Sequence, residues 1–189
     1  MINILRKVKR MSNYRDILEA YLKTLDIKAD RVLDVGGAAL PVKGRVKSFD
    51  VKEYDILDLP NYDLNYRFTL TKQSVDIVFC LEVMEYIFNP FIAIENLGRL
   101  LVDGGILYIT FQFLYPVHNP KEADYMRYTK QGAIKLLNEE GFKILKVIPR
   151  TMTPEGQVLI RQFRIAEGMH AAKGVVHNEL GVIIKAQKL

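Results

Sequence analysis

One cysteine, Cys80, stands among 189 residues, which excludes an internal disulfide and suits a reducing compartment. No stretch is long and apolar enough to span a bilayer. The basic residues near the start lead into polar residues rather than an apolar core, so no secretory signal is read there and a cytoplasmic location is expected. Charge of neither sign dominates: 27 basic and 22 acidic side chains leave +5, too small an excess to imply a nucleic-acid partner. Its one local concentration is Arg6, Lys7, Lys9 and Arg10. That cluster reads either as a solvated terminus or as a contact with an anionic lipid surface or an acidic substrate. Repeats, low-complexity tracts and linker-like stretches are absent, which argues against a second core. No His, Cys and carboxylate cluster has metal-ligand spacing, so no metal is expected. The oligomeric state stays open.

What is present is an ordinary globular composition, 49% hydrophobic and 26% charged. Ser12-Asn13 caps a helix to about Leu25, since Ile17, Leu18, Tyr21, Leu22 and Leu25 recur at helical spacing. Residues 1–30 thus form a basic segment and a helix ahead of a main domain over 31–189. Strands are read at 31–35, 46–51, 75–81, 106–113, 142–148 and 180–186, with a short one ending at Asp63-Leu64-Asn65. Helices follow Asn89-Pro90, Thr129 and Thr153-Pro154, each a capping residue or a first-turn proline. Pro41 and Gly44 leave the first crossover short. The alternation argues a doubly wound α/β fold: a Rossmann-like, mostly parallel, seven-stranded sheet with helices on both faces.

The chain is organised around Arg31 to Leu40, R-V-L-D-V-G-G-A-A-L. A strand that stops on an acid and a glycine pair marks a ligand edge, because ligands bind at the carboxyl ends of such strands and glycine admits close backbone approach. Asp34, Asp50 and Asp63 are read as acids at the ends of the first three strands. An acid on the second strand suits a ribose diol and one on the third an adenine amine. Gly36-Gly37-Ala38-Ala39-Leu40 lacks the later glycines of a dinucleotide fingerprint, and no G-K-[ST] phosphate loop exists. Asp34 beside the loop disfavours phosphate and favours a cation. A cationic, phosphate-free adenosine cofactor fits these residues.

With those residues in view, the chain resembles class I S-adenosylmethionine-dependent methyltransferases. More narrowly, it resembles small type-11-like members associated with surface-polysaccharide biosynthesis. The resemblance rests on V-L-D-V-G-G (32–37), F-D-V (49–51), Y-D-L-N (62–65), V-D-I-V-F-C-L-E-V-M-E-Y (75–86), L-L-V-D-G-G-I-L (100–107) and H-N-P-K-E-A-D-Y-M-R-Y-T (118–129). The order and spacing of the six carry it. Ala38 and Leu40 stand where the family has glycines, Tyr86 where it has histidine and Asp103 where it has proline.

The resemblance implies S-adenosylmethionine held by Asp34, Gly36, Gly37, Asp50, Asp63, Leu64, Leu81 and Glu82. It also implies methyl transfer, at oxygen, to a small-molecule or glycan acceptor. Methyl transfer needs alignment of acceptor and methyl carbon, and a hydroxyl acceptor needs a base. His118, in the loop after the fifth strand, is the candidate base. Tyr86, Tyr125 and Arg127 are candidates for the acceptor pocket, although Arg127 is equally read as a partner of Asp124 or Glu85. The alternative is a non-catalytic adenosine-binding or partner module on the same fold, motivated by Ala38, Leu40 and Tyr86.

Overall fold

The computed structural model describes residues 14–67, 74–117, 120–169 and 178–189. Ten elements follow in order: α1 (Tyr14–Leu22), β1 (Asp26–Val35), β2 (Ser48–Leu57), β3 (Val75–Cys80), α2 (Pro90–Leu100), β4 (Leu101–Gln112), α3 (Lys130–Glu139), β5 (Phe142–Thr151), α4 (Pro154–Ala166) and β6 (Glu179–Lys188). The six strands form one sheet in the order β2-β1-β3-β4-β6-β5. β2, β1, β3 and β4 are parallel, and β6 runs antiparallel to both β4 and β5.

Side-chain alternation along the strands divides the core. Val32, Ile77, Phe79 and Tyr108 face α1, where they meet Leu18, Tyr21 and Leu22. Leu33, Val78, Cys80, Leu107 and Ile109 face the other way, against Ile94 and Leu97 of α2 and Leu137 of α3. Helices therefore cover both faces, as the sequence predicts. Thr129 and Thr153 cap their helices, each accepting from the backbone N–H three residues on, at 3.1 and 3.2 Å.

The sheet has six strands among the described residues, not seven. The expected strand at Asp63-Leu64-Asn65 is a turn. Asp63 Oδ1 accepts from the backbone N–H and the Nδ2 of Asn65, both at 2.9 Å. Asn96 Nδ2 donates to the carbonyls of Leu64 and Tyr66 at 3.3 and 2.9 Å. Side chains thus take the backbone groups that a neighbouring strand would have needed. The segments joining β1 to β2 and β2 to β3 contain no helix among the described residues. The first is held instead by Arg45, which bonds Glu19 through Nε and Nη2 and the Leu40 carbonyl through Nη1.

β2 also differs in extent. It begins at Ser48 and continues to Leu57, so residues 52–57 are strand rather than polar loop. Its amino half pairs with an early extension of β1, where the exposed charges match in register: Lys28 with Asp50 and Lys52 with Asp30; Lys47, just before β2, pairs with Asp26. β3 begins too late to reach this extension. Its Asp76 carboxylate takes the Asp30 and Arg31 N–H groups in its place, at 3.0 and 2.8 Å. Asp76→Ala is expected to lower the unfolding free energy by about 1.5–3 kcal/mol, the range for charged hydrogen bonds. Asp76→Asn, which keeps one acceptor oxygen, should restore most of it in a denaturant titration.

Candidate functional site

The carboxyl ends of β1, β2, β3, β4 and β5 share one edge of the sheet, and two polar groups are built there. The first is the glycine loop. Gly36 has φ +75, and a Cβ on it would lie 2.4 Å from Val83 Cγ2. A Cβ on Gly37 would lie 2.4 Å from Asp34 Cγ. Both glycines are therefore required by close contact. Asp34 is buried beneath the loop, where its Oδ2 accepts from Val42 N–H at 2.6 Å and Tyr54 O–H at 2.7 Å. Burial pushes its carboxyl above the usual range, and those two hydrogen bonds oppose the rise. Asp34 thus shapes the loop from below.

Asp50 is the third residue of β2, at the opposite end from Asp34, exposed and 3.9 Å from Lys28 Nζ. Its expected place at the carboxyl end of the second strand is corrected by the longer β2. The acid that stands there is Asp58. Its Oδ2 accepts from Ala38 N–H at 3.0 Å and its Oδ1 from Leu59 N–H at 2.8 Å. Asp63 lies in the next turn. Leu64 and Leu81 are core side chains.

The second group surrounds Glu82, a non-glycine residue at φ 59 two positions past the end of β3. Its N–H donates to Thr110 Oγ1 at 2.7 Å, and that hydroxyl donates back to Glu82 Oε1 at 2.9 Å. Arg150, fully buried on β5, donates Nη1 to Glu82 Oε1 and Nη2 to Oε2, the latter at 3.2 Å. Its Nε donates to the Tyr14 carbonyl at 3.0 Å, and its Cζ lies 3.0 Å from the Tyr14 ring centroid. Glu82 and Arg150 are therefore partners of each other. Glu85, also fully buried, accepts from Gln112 Nε2. Burial, and then the charge of Glu82, push its carboxyl up to about 8.

The loop after β4 is tied to the same floor. The Glu85 carbonyl accepts from Tyr125 N–H and Met126 N–H at 2.8 and 3.0 Å. Arg127 grips both oxygens of Asp124 and also donates to the Tyr115, Pro116 and Met126 carbonyls. Of the readings open for Arg127, the structure shows the Asp124 pair. Tyr125 is half exposed, its ring 5.7 Å from Phe88, which is itself 6.0 Å from Tyr66. Tyr86 is half-buried in the short turn Met84–Tyr86. His118, and the basic cluster Arg6 to Arg10, lie outside the described residues.

The structure thus brings together Asp34, Gly36 and Gly37, and separately gathers Glu82, Tyr86, Tyr125 and Arg127 by the β3 and β4 ends; Asp50 joins neither group. Asp58, Thr110, Gln112 and Arg150 were missed. For Asp58 a signal existed: the alternating charges Asp26, Lys28 and Asp30 match Asp50 and Lys52, which fixes where β2 begins. The shallow groove lined by Glu95, Arg99, Glu140 and Lys188 lies at the opposite edge of the sheet. Among the described residues no three His, Cys, Asp or Glu are grouped to hold a metal.

No protein-family model and no curated protein matches the chain. Solved structures do match it. The [4+2]-cyclase SpnF superposes with a TM-score of 0.59 at 18% identity, over 92% of this chain and 80% of that one. An S-adenosylmethionine-dependent methyltransferase from Mesorhizobium loti gives 0.59 at 12% identity, over 93% and 98%. Phosphoethanolamine N-methyltransferase 2 from Haemonchus contortus, in complex with phosphomonomethylethanolamine and S-adenosylhomocysteine, gives 0.55 at 15%, over 93% and 52%. At these identities the likeness assigns the fold, a Rossmann-like methyltransferase fold with a six-stranded, mostly parallel sheet. A cyclase shares it, so the fold alone does not fix the reaction.

Glu85 generates a pH prediction. A carboxyl whose folded value is about 8, against an ordinary 4.5, binds its proton more tightly in the folded state. Its contribution to stability is complete below the ordinary value and is lost as pH rises through the folded one. Glu82 and Asp124 act in this direction, Arg150 against it. Stability measured by denaturant titration should therefore fall from pH 5 to pH 8, and Glu85→Gln should flatten the fall. The raised carboxyl of Asp34 contributes a slope of the same sign above its ordinary value of 3.8.

Proposed function

We propose that this chain is an S-adenosylmethionine-dependent methyltransferase acting at oxygen on a small-molecule or glycan acceptor. The narrower resemblance, to type-11-like enzymes associated with surface polysaccharides, is part of the same reading. The observation that carries it is the glycine pair at the end of β1, packed beside Asp58 at the end of β2, on this fold. Asp58 bonds two loop N–H groups through different oxygens. A carboxylate has about four lone-pair sites, so it retains acceptor capacity for a ribose diol. Backbone at Gly36-Gly37 gives close approach, and Asp63 serves the adenine. When bound, the cofactor supplies a methyl group on a sulfonium, a good leaving group.

The residues on the other side of the edge have different work. His118 accepts the acceptor's hydroxyl proton. Tyr86 and Tyr125 line the acceptor side. Arg127, its fork engaged with Asp124, holds the shape of the loop carrying Tyr125. The second reading, a module that binds the adenosine cofactor without turnover, is favoured by Glu82, whose carboxylate is engaged by Arg150 rather than turned to a ligand.

Calorimetric titration separates these from an unrelated function. S-adenosylmethionine and S-adenosylhomocysteine should bind and NAD should not. At 100 times its dissociation constant each sulfur cofactor should add about 2.7 kcal/mol to stability. Asp58→Ala should weaken cofactor binding by about 1–3 kcal/mol, while Asp50→Ala leaves it unchanged. Binding of NAD alone would sink the proposal.

Turnover is tested against a panel of glycan and small-molecule hydroxyl acceptors. His118→Ala should keep cofactor affinity and lower the rate by about 10² to 10⁴. Tight cofactor binding with no transfer to any acceptor favours the module reading.

A further inference from the structure

Three adjacent strands put Gln112 of β4, Gly181 of β6 and Arg150 of β5 side by side, since Gly181 is in register with both of the others. Opposed residues on neighbouring strands share a face of the sheet. Gly181 leaves a gap between the two long side chains, and the Tyr14 ring occupies it. A Cβ on Gly181 would lie 3.1 Å from Tyr14 Cε2 and 3.2 Å from Gln112 Cα. Cε2 adjoins the carbon that bears the hydroxyl, so the hydroxyl end of the ring lies close to Gln112. Arg150 sits over the same ring.

Two polar atoms in this row are orphaned. Tyr14 Oη and Gln112 Oε1 have no hydrogen-bond partner among the described residues, although the two residues are only 2% and 0% exposed. Turning the Gln112 amide would exchange which of its ends meets Glu85 and would still leave the other end over. A buried polar atom without a partner costs stability, and a ligand that bonds it recovers the cost. Charge at this position is already balanced. Glu82 pairs with Arg150 and Asp124 with Arg127, while burial keeps most of the Glu85 carboxyl protonated at neutral pH. The position therefore favours a neutral group. A hydroxyl satisfies both atoms with one oxygen, accepting from Tyr14 O–H and donating to Gln112 Oε1.

We propose that Tyr14 and Gln112 anchor a neutral hydroxyl group of the methyl acceptor, an inference that rests on the methyl-transfer reading. The anchored oxygen is not the one methylated, because its hydrogen and a lone pair are engaged by the anchor. The acceptor is therefore a diol or polyol, with a second hydroxyl left for transfer. Tyr115 packs on Tyr14 from the loop after β4, ring centroids 4.6 Å apart, and the ligand enters by displacing it. The anchor grips a group that many acceptors share, so it holds an acceptor without choosing among them.

Vicinal cyclohexanediol and its dimethyl ether, each titrated into the full chain by saturation-transfer NMR, test it. The diol should bind. The ether cannot donate to Gln112 and should bind about fivefold more weakly, the worth of one neutral hydrogen bond. Tyr14→Phe should weaken the diol by about the same factor, and Gln112→Met should remove the preference for diol over ether. With no ligand added, Tyr14→Phe should leave the thermal melt unchanged or raise it, because it removes only an orphaned hydroxyl. S-adenosylhomocysteine affinity should be the same in Tyr14→Phe and wild type. A lowered melt in Tyr14→Phe overturns the proposal, since it shows the hydroxyl held within the fold by water or a neighbour. Absence of diol binding, equal binding of diol and ether, or a diol affinity unmoved by Tyr14→Phe overturns it too, and where S-adenosylhomocysteine still binds, the methyl-transfer reading stands. Diol binding that Tyr14→Phe weakens, in a chain that binds no cofactor, supports the hydroxyl site and sinks the methyl-transfer reading alone.

Discussion

Arg150 is the interaction on which the carboxyl edge depends. Its guanidinium is fully buried and always charged, and removing an ion of that kind from water costs several kcal/mol unless a counter-charge and hydrogen bonds surround it. Glu82 supplies the counter-charge through both oxygens, Tyr14 supplies a carbonyl and a ring face, and Thr110 binds Glu82 in turn. One cation thereby fixes the start of α1 and the ends of β3, β4 and β5. The left-handed backbone of Glu82 is the local cost of aiming its carboxylate at that cation.

The pair also links the two halves of the edge. Val83 follows Glu82 and leaves no room for a side chain on Gly36. The position of the turn after β3, set by Arg150, thus sets the position of the glycine loop after β1. On the other side, the charge of Glu82 helps keep the Glu85 carboxyl protonated, while the Glu85 carbonyl anchors Tyr125 and Met126. A perturbation at Arg150 would therefore be felt at both the glycine loop and the loop after β4, although it touches neither directly.

Legibility in the sequence followed the range of the forces involved. Caps at Thr129 and Thr153 and the helical spacing of α1 and α2 are local, and they were readable. The close-packed glycine loop was readable because Gly36 and Gly37 follow an apolar run. The length of β2 was not, because its amino half is held by charges opposite β1 rather than by apolar burial, and a polar strand reads as a loop. That one misreading placed the acid expected at the carboxyl end of β2 at Asp50, where the structure has Asp58. Asp63 to Asn65 failed for the converse reason: its short pattern suits a strand, but Asn96, thirty residues away, captures its backbone. Arg150 and Gln112 sit in strands otherwise rich in apolar residues, and nothing near them in sequence names their partners, 68 and 27 residues distant.

The floor of this edge and its rim differ in kind. In the floor the charged and amide groups are engaged with one another: Arg150 with Glu82, Gln112 with Glu85, Asp34 with Val42 and Tyr54. Such groups hold shape, while Gln112 Oε1, also buried, has no hydrogen-bond partner among the described residues. The rim is the reverse, with Tyr66, Phe88, Tyr125, Leu114 and the outer side of α4 exposed and apolar. On the proposed methyl-transfer reading, discrimination among acceptors would fall to the rim, and to the loop that Arg127 stitches in particular. The floor keeps that loop and the glycine loop in fixed relation.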